Sequence, residues 1–212
     1  TESIIFNGKM ETPGFSDRNY EFLERFSPYI IENGGDLPSH LPLSDQELIK
    51  KLVYDGAIAM GITTGVVKGD IVFHNGIPFI IELAARLSGG YFCSHEIPLN
   101  TGVDFVGEAI KLALGENINM KSLLPKYSRP VAQRYIFPKP GRVTRISGVE
   151  EVVVRPSVAM CEIRTRVGDN ISPAFNHPSR AGVIITHGET KAEAIAEADR
   201  AIKDIRIETN EF

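Results

Sequence analysis

Apolar and polar positions along this chain change rhythm several times, and each change predicts an element. Ser3 to Phe6 is a short apolar run that ends at Asn7-Gly8, the favoured two-residue hairpin turn, so a return strand is predicted after it. Arg18 to Phe26 spaces Tyr20, Phe22, Leu23 and Phe26 as one face of a helix, and Pro28 to Ile31 reads as a short strand. Gly34-Gly35-Asp36, Pro38 and Pro42 mark a loop. Ser44-Asp45-Gln46-Glu47 has the form of a capping box, and Leu48, Ile49, Leu52 and Val53 extend its helix to about Met60. Two strands follow, Gly65 to His74 and Pro78 to Leu83, joined at Asn75-Gly76. A helix is predicted from Val103 to Leu114, with Gly115 suited to its C-cap.

The pattern shifts across Asn117 to Pro130. Beyond it, short strands alternate with Pro and Gly turns: Val131 to Phe137, Val143 to Ile146, Glu151 to Val154, Val158 to Val167 and Arg180 to Thr186. Thr190-Lys191-Ala192-Glu193 is a second capping box, opening a helix whose Ile195, Ala198, Ile202 and Ile205 face inward. The predicted class is α+β or α/β, divided into residues 1–118 and a smaller β-rich part, 119–212, closed by a helix.

Composition sets limits on this picture. Of 212 residues, 42% are hydrophobic and 24% charged, enough for packed cores and unlike a disordered chain. The net charge of −4 and the lack of a long basic run disfavour a nucleic-acid or anionic-membrane surface. No apolar stretch is long enough to span a bilayer. Cys93 and Cys161 are far apart and form no CxxC, so a reduced, cytoplasmic setting is expected. The chain opens at Thr1 directly on a hairpin, which leads to the expectation of a piece of a longer protein.

Candidate chemistry concentrates between residues 65 and 95. Asp70 and Glu82 lie in strands otherwise suited to burial, where an unpaired carboxylate is costly. Two such groups on neighbouring strands suit a hard divalent cation with oxygen ligands. Alternatively, each caps a strand end or pairs with a lysine, and Lys68, two residues before Asp70, lies on the same strand face. Arg86 offers a planar fork for phosphate or carboxylate, or a surface ion pair. Ser88-Gly89-Gly90 offers backbone N–H groups to an anion, or simply a tight turn. LSGG is not the GxSxG of a nucleophile elbow. His40, His74, His95, His177 and His187 have no metal-binding spacing, although His95 and Cys93 follow the glycines and are placed to line a pocket. Neither GxxxxGK[ST] nor GxGxxG occurs.

Register constrains the metal reading. If Asn75-Gly76 is a regular two-residue hairpin, His74 faces Ile77 and Asp70 faces Ile81, which turns Glu82 to the other side of the sheet. A shared metal therefore requires a three-residue loop or a bulge in one strand.

IIELAARLSGG resembles the ExNxR metal and phosphate motif of the ATP-grasp superfamily, and GVVKGDIVFHNGIPFIIELAARLSGG is similar to the paired strands that carry its magnesium-binding acids. PLNTGVDFVGEAIKLALGE resembles the helix that follows, and TESIIFNGK the strand pair that opens the second lobe of the grasp. The tail RVGDNISPAFNHPSRAGVIITHGETKAEAIAEA is similar to the C-terminal domain of biotin carboxylase and glycinamide ribonucleotide synthetase. Within the superfamily the chain resembles the L-amino-acid ligases and carbamoyl-phosphate-synthase-like enzymes. The resemblance implies a C-terminal ATP-grasp lobe, an antiparallel sheet with helices, over 1–118 and a biotin-carboxylase-like domain over 119–212.

The resemblance also implies roles. Asp70 and Glu82 would hold Mg²⁺ or Mn²⁺ on the phosphates of ATP, Arg86 would contact the transferred phosphate, and Ser88, Gly89 and Gly90 would shape the acid-substrate pocket. Ala84 replaces the Asn of ExNxR, which removes one oxygen ligand for a second metal. The family's adenine hinge, phosphate lysines and glycine-rich lid lie upstream of the opening strand, so the implied partner is an N-terminal half of the same protein. The implied reaction joins a small carboxylate to an amine through an acyl phosphate, with this chain alone inactive and homo-oligomers possible. Bicarbonate chemistry of the carbamoyl-phosphate-synthase or carboxylase type, or a non-catalytic docking module, are the alternatives.

Overall fold

The structure, a computed structural model, describes residues 1–210. Along the chain run β1 (Glu2–Phe6), β2 (Lys9–Gly14), β3 (Asp17–Arg18), α1 (Leu23–Phe26), β4 (Gly35–Leu37), α2 (Leu43–Ala59), β5 (Gly65–His74) and β6 (Ile77–Ala84). A π-helical turn (Phe92–Glu96) leads into α3 (Ile97–Thr101) and α4 (Phe105–Ala113). Then come β7 (Val131–Ile136), β8 (Gly141–Ser147), α5 (Val149–Val153), β9 (Val158–Ile163), β10 (Asn170–Ile171), β11 (Gly182–His187), α6 (Lys191–Asp204) and β12 (Arg206–Asn210). The class is mixed α and β with antiparallel sheets, as predicted.

The chain forms two compact units, 1–16 with 38–128, and 17–37 with 129–212. The division is therefore not one cut near residue 118, because an early segment of 21 residues joins the later unit. Its strand partner explains why: Gly35 pairs with Gln133 and Leu37 with Val131.

In the first unit, four antiparallel strands lie in the order β2-β1-β5-β6. One face packs on α2, burying Ile5, Ile49, Val53, Ala57 and Val67. The helix begins at Leu43 rather than at a Ser44 cap: Pro42 is the N-cap residue, makes no side-chain cap, and its carbonyl accepts from the Asp45 and Gln46 amides. Pro fits there because it has no amide to leave unsatisfied at the helix entry. β6 is an edge strand, and its outer half exposes Ile77, Phe79 and Ile81.

In the second unit, five strands lie in the order β3-β4-β7-β11-β9 and three in the order β10-β8-β12. α6 opens on the predicted capping box, with Thr190 accepting from the Glu193 amide and Glu193 reaching back. It buries Ala194, Ala198 and Ala201 completely, while Ile195 and Ile202 pack at the edges of the core.

Several expectations fail here for identifiable reasons. Pro28 to Ile31 is not a strand, and Ile30 lies exposed; the strand is β4, on residues that read as a loop. Gly34 makes that possible: its φ is +77°, and a Cβ there would sit 2.2 Å from the Gln133 carbonyl oxygen. Only Leu23–Phe26 of the predicted first helix is helical, since Asp17 and Arg18 pair with β4. Its aromatic spacing serves a Phe22, Phe26 and Phe137 cluster, with centroids 4.8–6.0 Å apart. Glu151 to Val154 is not a strand either. Gly148, at φ 84°, starts α5 instead, Val152 is fully buried, and Glu150 and Glu151 suit a helix N-terminus.

Candidate functional site on the β5–β6 hairpin

The hairpin turns at Asn75-Gly76 with φ of 50° and 76°. His74 faces Ile77, so the loop has two residues. The register then shifts between Asp70 and Ile71: Ile71 faces Ile80, but Asp70 faces Glu82. Ile81 is the extra residue of a β-bulge, and its side chain is among the most exposed aliphatics of the chain at 67%. This one residue puts both carboxylates on the sheet face opposite α2.

Lys68 completes the pair. Its ammonium bonds Asp70 Oδ2 and lies 3.3 Å from Glu82 Oε1. Its side chain is 14% exposed, against 45% for Asp70 and 50% for Glu82. Arg86 approaches Glu82 Oε1 at 3.4 Å through one terminal nitrogen and donates to the Leu87 carbonyl at 3.2 Å through the other. Two carboxylates and two cations thus form one half-exposed cluster. The carboxylates share a face, as a shared metal would require, and Lys68 pairs with both, as the alternative reading held. The cluster offers a divalent cation two carboxylate oxygens from directly opposed residues, which fits magnesium's habit of taking one or two carboxylates and completing its shell from phosphates and water. Among the described residues no group of three or more His, Cys, Asp or Glu side chains could hold a metal, so an ion on this pair would complete its shell from other oxygens, such as those of water or phosphate.

The glycine loop sits differently from its residue types alone. Ser88 is buried, its hydroxyl donates to Glu2 Oε2, and its amide donates to Glu2 Oε1 at 2.8 Å. It acts as a clasp to β1 rather than presenting its hydroxyl outward. Gly89 and Gly90 are exposed, and a Cβ on Gly89 would meet nothing within 4 Å. Gly90 and Tyr91 both take left-handed φ, 66° and 69°, which swings the chain into the π-helical turn. Cys93 lies under the loop, with its thiol donating to the Ser88 carbonyl at 3.3 Å. Burial, with Glu2 nearby, pushes that thiol up to about 11. His95 is exposed and stacks edge-on to Tyr91, with centroids 5.0 Å apart. Glu2 was missed from sequence. Its only signal was an acid at the head of the apolar run ESIIF, and it is fully buried.

The architecture matches known proteins. The crystal structure of L-amino acid ligase from Bacillus licheniformis superposes with a TM-score of 0.85 at 21% identity, over 99% of this chain and 53% of that one. The fold is that of the ATP-grasp ligases. Residues 134–210 also match the family L-amino acid ligase C-terminal domain 2. The biotin carboxylase domain of 2-oxoglutarate carboxylase from Hydrogenobacter thermophilus, in complex with MgADP, ADP and bicarbonate, gives a TM-score of 0.68 at 17% identity, over 98% of this chain and 45% of that one. Biotin carboxylase 2 of Bacillus subtilis is 26% identical over 178 residues, 79% of this chain and 38% of that protein. The chain spans about half the length of the first structure and less than two fifths of the curated relative.

Proposed function

We propose that this chain is the back half of an ATP-dependent carboxylate–amine ligase. The observation that carries the reading is the Ile81 bulge, which sets Glu82 directly opposite Asp70 within reach of Lys68 and Arg86. The match of residues 134–210 to an L-amino acid ligase domain supports amine ligation over bicarbonate chemistry.

Asp70 and Glu82 would hold a magnesium or manganese ion, whose chemistry is to neutralise charge on the nucleotide phosphates. Val72 and Phe79 are paired on the same face as Asp70 and half exposed, an apolar floor for a planar base. Arg86 is the planar donor for the transferred phosphoryl group, where a fork fits better than a point charge. Lys68, drawn off the carboxylates, supplies a second positive charge to the same group. Gly89 and Gly90 carry no side chain between the loop backbone and the acid. A substrate carboxylate oxygen attacks the γ-phosphorus, and the bond from that phosphorus to the ADP oxygen breaks. The resulting acyl phosphate is attacked at its carbonyl carbon by an amine; phosphate leaves, and the nitrogen loses a proton. These steps need mainly positioning and charge stabilisation.

The test is ADP release by the complete protein, with amino-acid pairs or bicarbonate as co-substrates. Glu82→Gln and Asp70→Asn are each expected to slow amino-acid-dependent release by about 10²–10³-fold. Wild-type rates in both variants would sink the proposal, and release driven by bicarbonate alone would transfer it to the carboxylase reading.

A further inference from the structure

Sheet register places Glu2, Lys68 and Ala84 in one row across the face that carries the site: Glu2 pairs with Lys68, and Lys68 with Ala84. The chain leaves β6 at Ala84, and four residues later Ser88 is bonded to Glu2. Adjacent strands are about 4.8 Å apart, so this segment crosses two strand spacings, about 10 Å, well within the reach of four residues. Residues 85–87 therefore form a strap over the row position of Lys68. The strap is fastened at both sides, by Arg86 on Glu82 and by Ser88 on Glu2. The first fastening is half exposed; the second is fully buried and uses both oxygens of one carboxylate. Cys93, bonded to the Ser88 carbonyl, secures the same residue from below.

We infer that Glu2 is a positioning residue: its carboxylate latches the Ser88-Gly89-Gly90 loop onto the strand beside Lys68 and so fixes the Arg86 strap and the glycine amides relative to the Asp70–Glu82 pair. This rests on the proposed function for its catalytic consequence, but the latch itself rests on contacts alone. A buried acid is unfavourable without donors, and the Ser88 amide and hydroxyl supply two of them. The loop is exposed at Gly89 and Gly90, and Gly90 and Tyr91 occupy the left-handed region. Without the clasp, the backbone freedom of the glycines would let the loop shift relative to β1.

The experiment measures amide hydrogen exchange over residues 87–92 of the complete protein, together with steady-state kinetics. In Glu2→Ala, exchange of that segment is expected to quicken at least about tenfold, with the melting transition still cooperative. Turnover should fall about tenfold or more and KM for the acid rise, while KM for ATP stays within about twofold. Glu2→Gln should restore most of both, because its amide oxygen accepts from the Ser88 N–H while its NH₂ donates to Ser88 Oγ. Ser88→Ala removes one of the two bonds, leaves the strand intact, and should give the same changes at smaller size; it decides the matter if Glu2→Ala does not fold. Unchanged exchange in folded Glu2→Ala or Ser88→Ala overturns the latch. Faster exchange with unaltered kinetics overturns the positioning role. A wild-type protein with no ATP turnover overturns the proposed function instead, and exchange alone then decides the latch.

Discussion

Replacing Lys68 with methionine separates the two readings of the carboxylate pair, because a divalent cation held there would compete with Lys68 for the same oxygens. Lys68 Nζ lies 3.3 Å from Glu82 Oε1 and is bonded to Asp70 Oδ2. Coulomb's law gives about 1.3 kcal/mol for one such pair in bulk water and about 5 kcal/mol at an effective dielectric constant of 20. The carboxylates are 45% and 50% exposed, so solvent screening keeps the value near the lower figure, about 1–2 kcal/mol. Methionine keeps most of the buried stem and removes the charge. Mn²⁺ binding without nucleotide, followed by electron paramagnetic resonance, should therefore tighten about 5–30-fold in Lys68→Met. In the complete protein, ATP binding should weaken at the same time if Lys68 faces the phosphates as proposed. The opposite signs form the test. Mn²⁺ affinity unchanged or weaker in Lys68→Met would show that Lys68 does not compete at these oxygens, and the pair would then be a surface ion cluster.

Two further outcomes follow from the geometry. Arg86 uses two nitrogens on Glu82 and Leu87, an arrangement lysine cannot reproduce, so Arg86→Lys should lower turnover of the complete protein about tenfold or more, checked by ADP release. The Cys93 thiol is raised from 9.0 to about 11 by burial, so the folded state favours its protonated form. Its stabilisation, roughly 2–3 kcal/mol, is full below pH 9 and is lost as pH rises through 11; urea melts of Cys93→Ala should show a flatter alkaline decline than wild type, and equal declines would refute it.

Much of the site was legible in one dimension. Asn75-Gly76 named its hairpin, and the requirement for a bulge followed from period-2 geometry alone, because parity decides which face a residue occupies. The Thr190 to Glu193 cap was likewise local chemistry, since its donors and acceptors lie within one helical turn. What sequence could not place was anything settled by a distant partner. β4 exists because β7 lies beside it, with Gly34 clearing the Gln133 carbonyl, and nothing within Gly34-Gly35-Asp36 says so. The run ending in Val154 has strand propensity, yet burial of Val152 and a left-handed Gly148 make it helical, because packing outweighs a propensity difference of a few tenths of a kcal/mol per residue. Glu2 and Ser88, 86 residues apart, meet only because β1 enters the sheet beside β5. The sequence alone determined which residues could bear charge and where turns fall; the tertiary structure decided which of them face one another, because strand order and register are fixed by long-range burial.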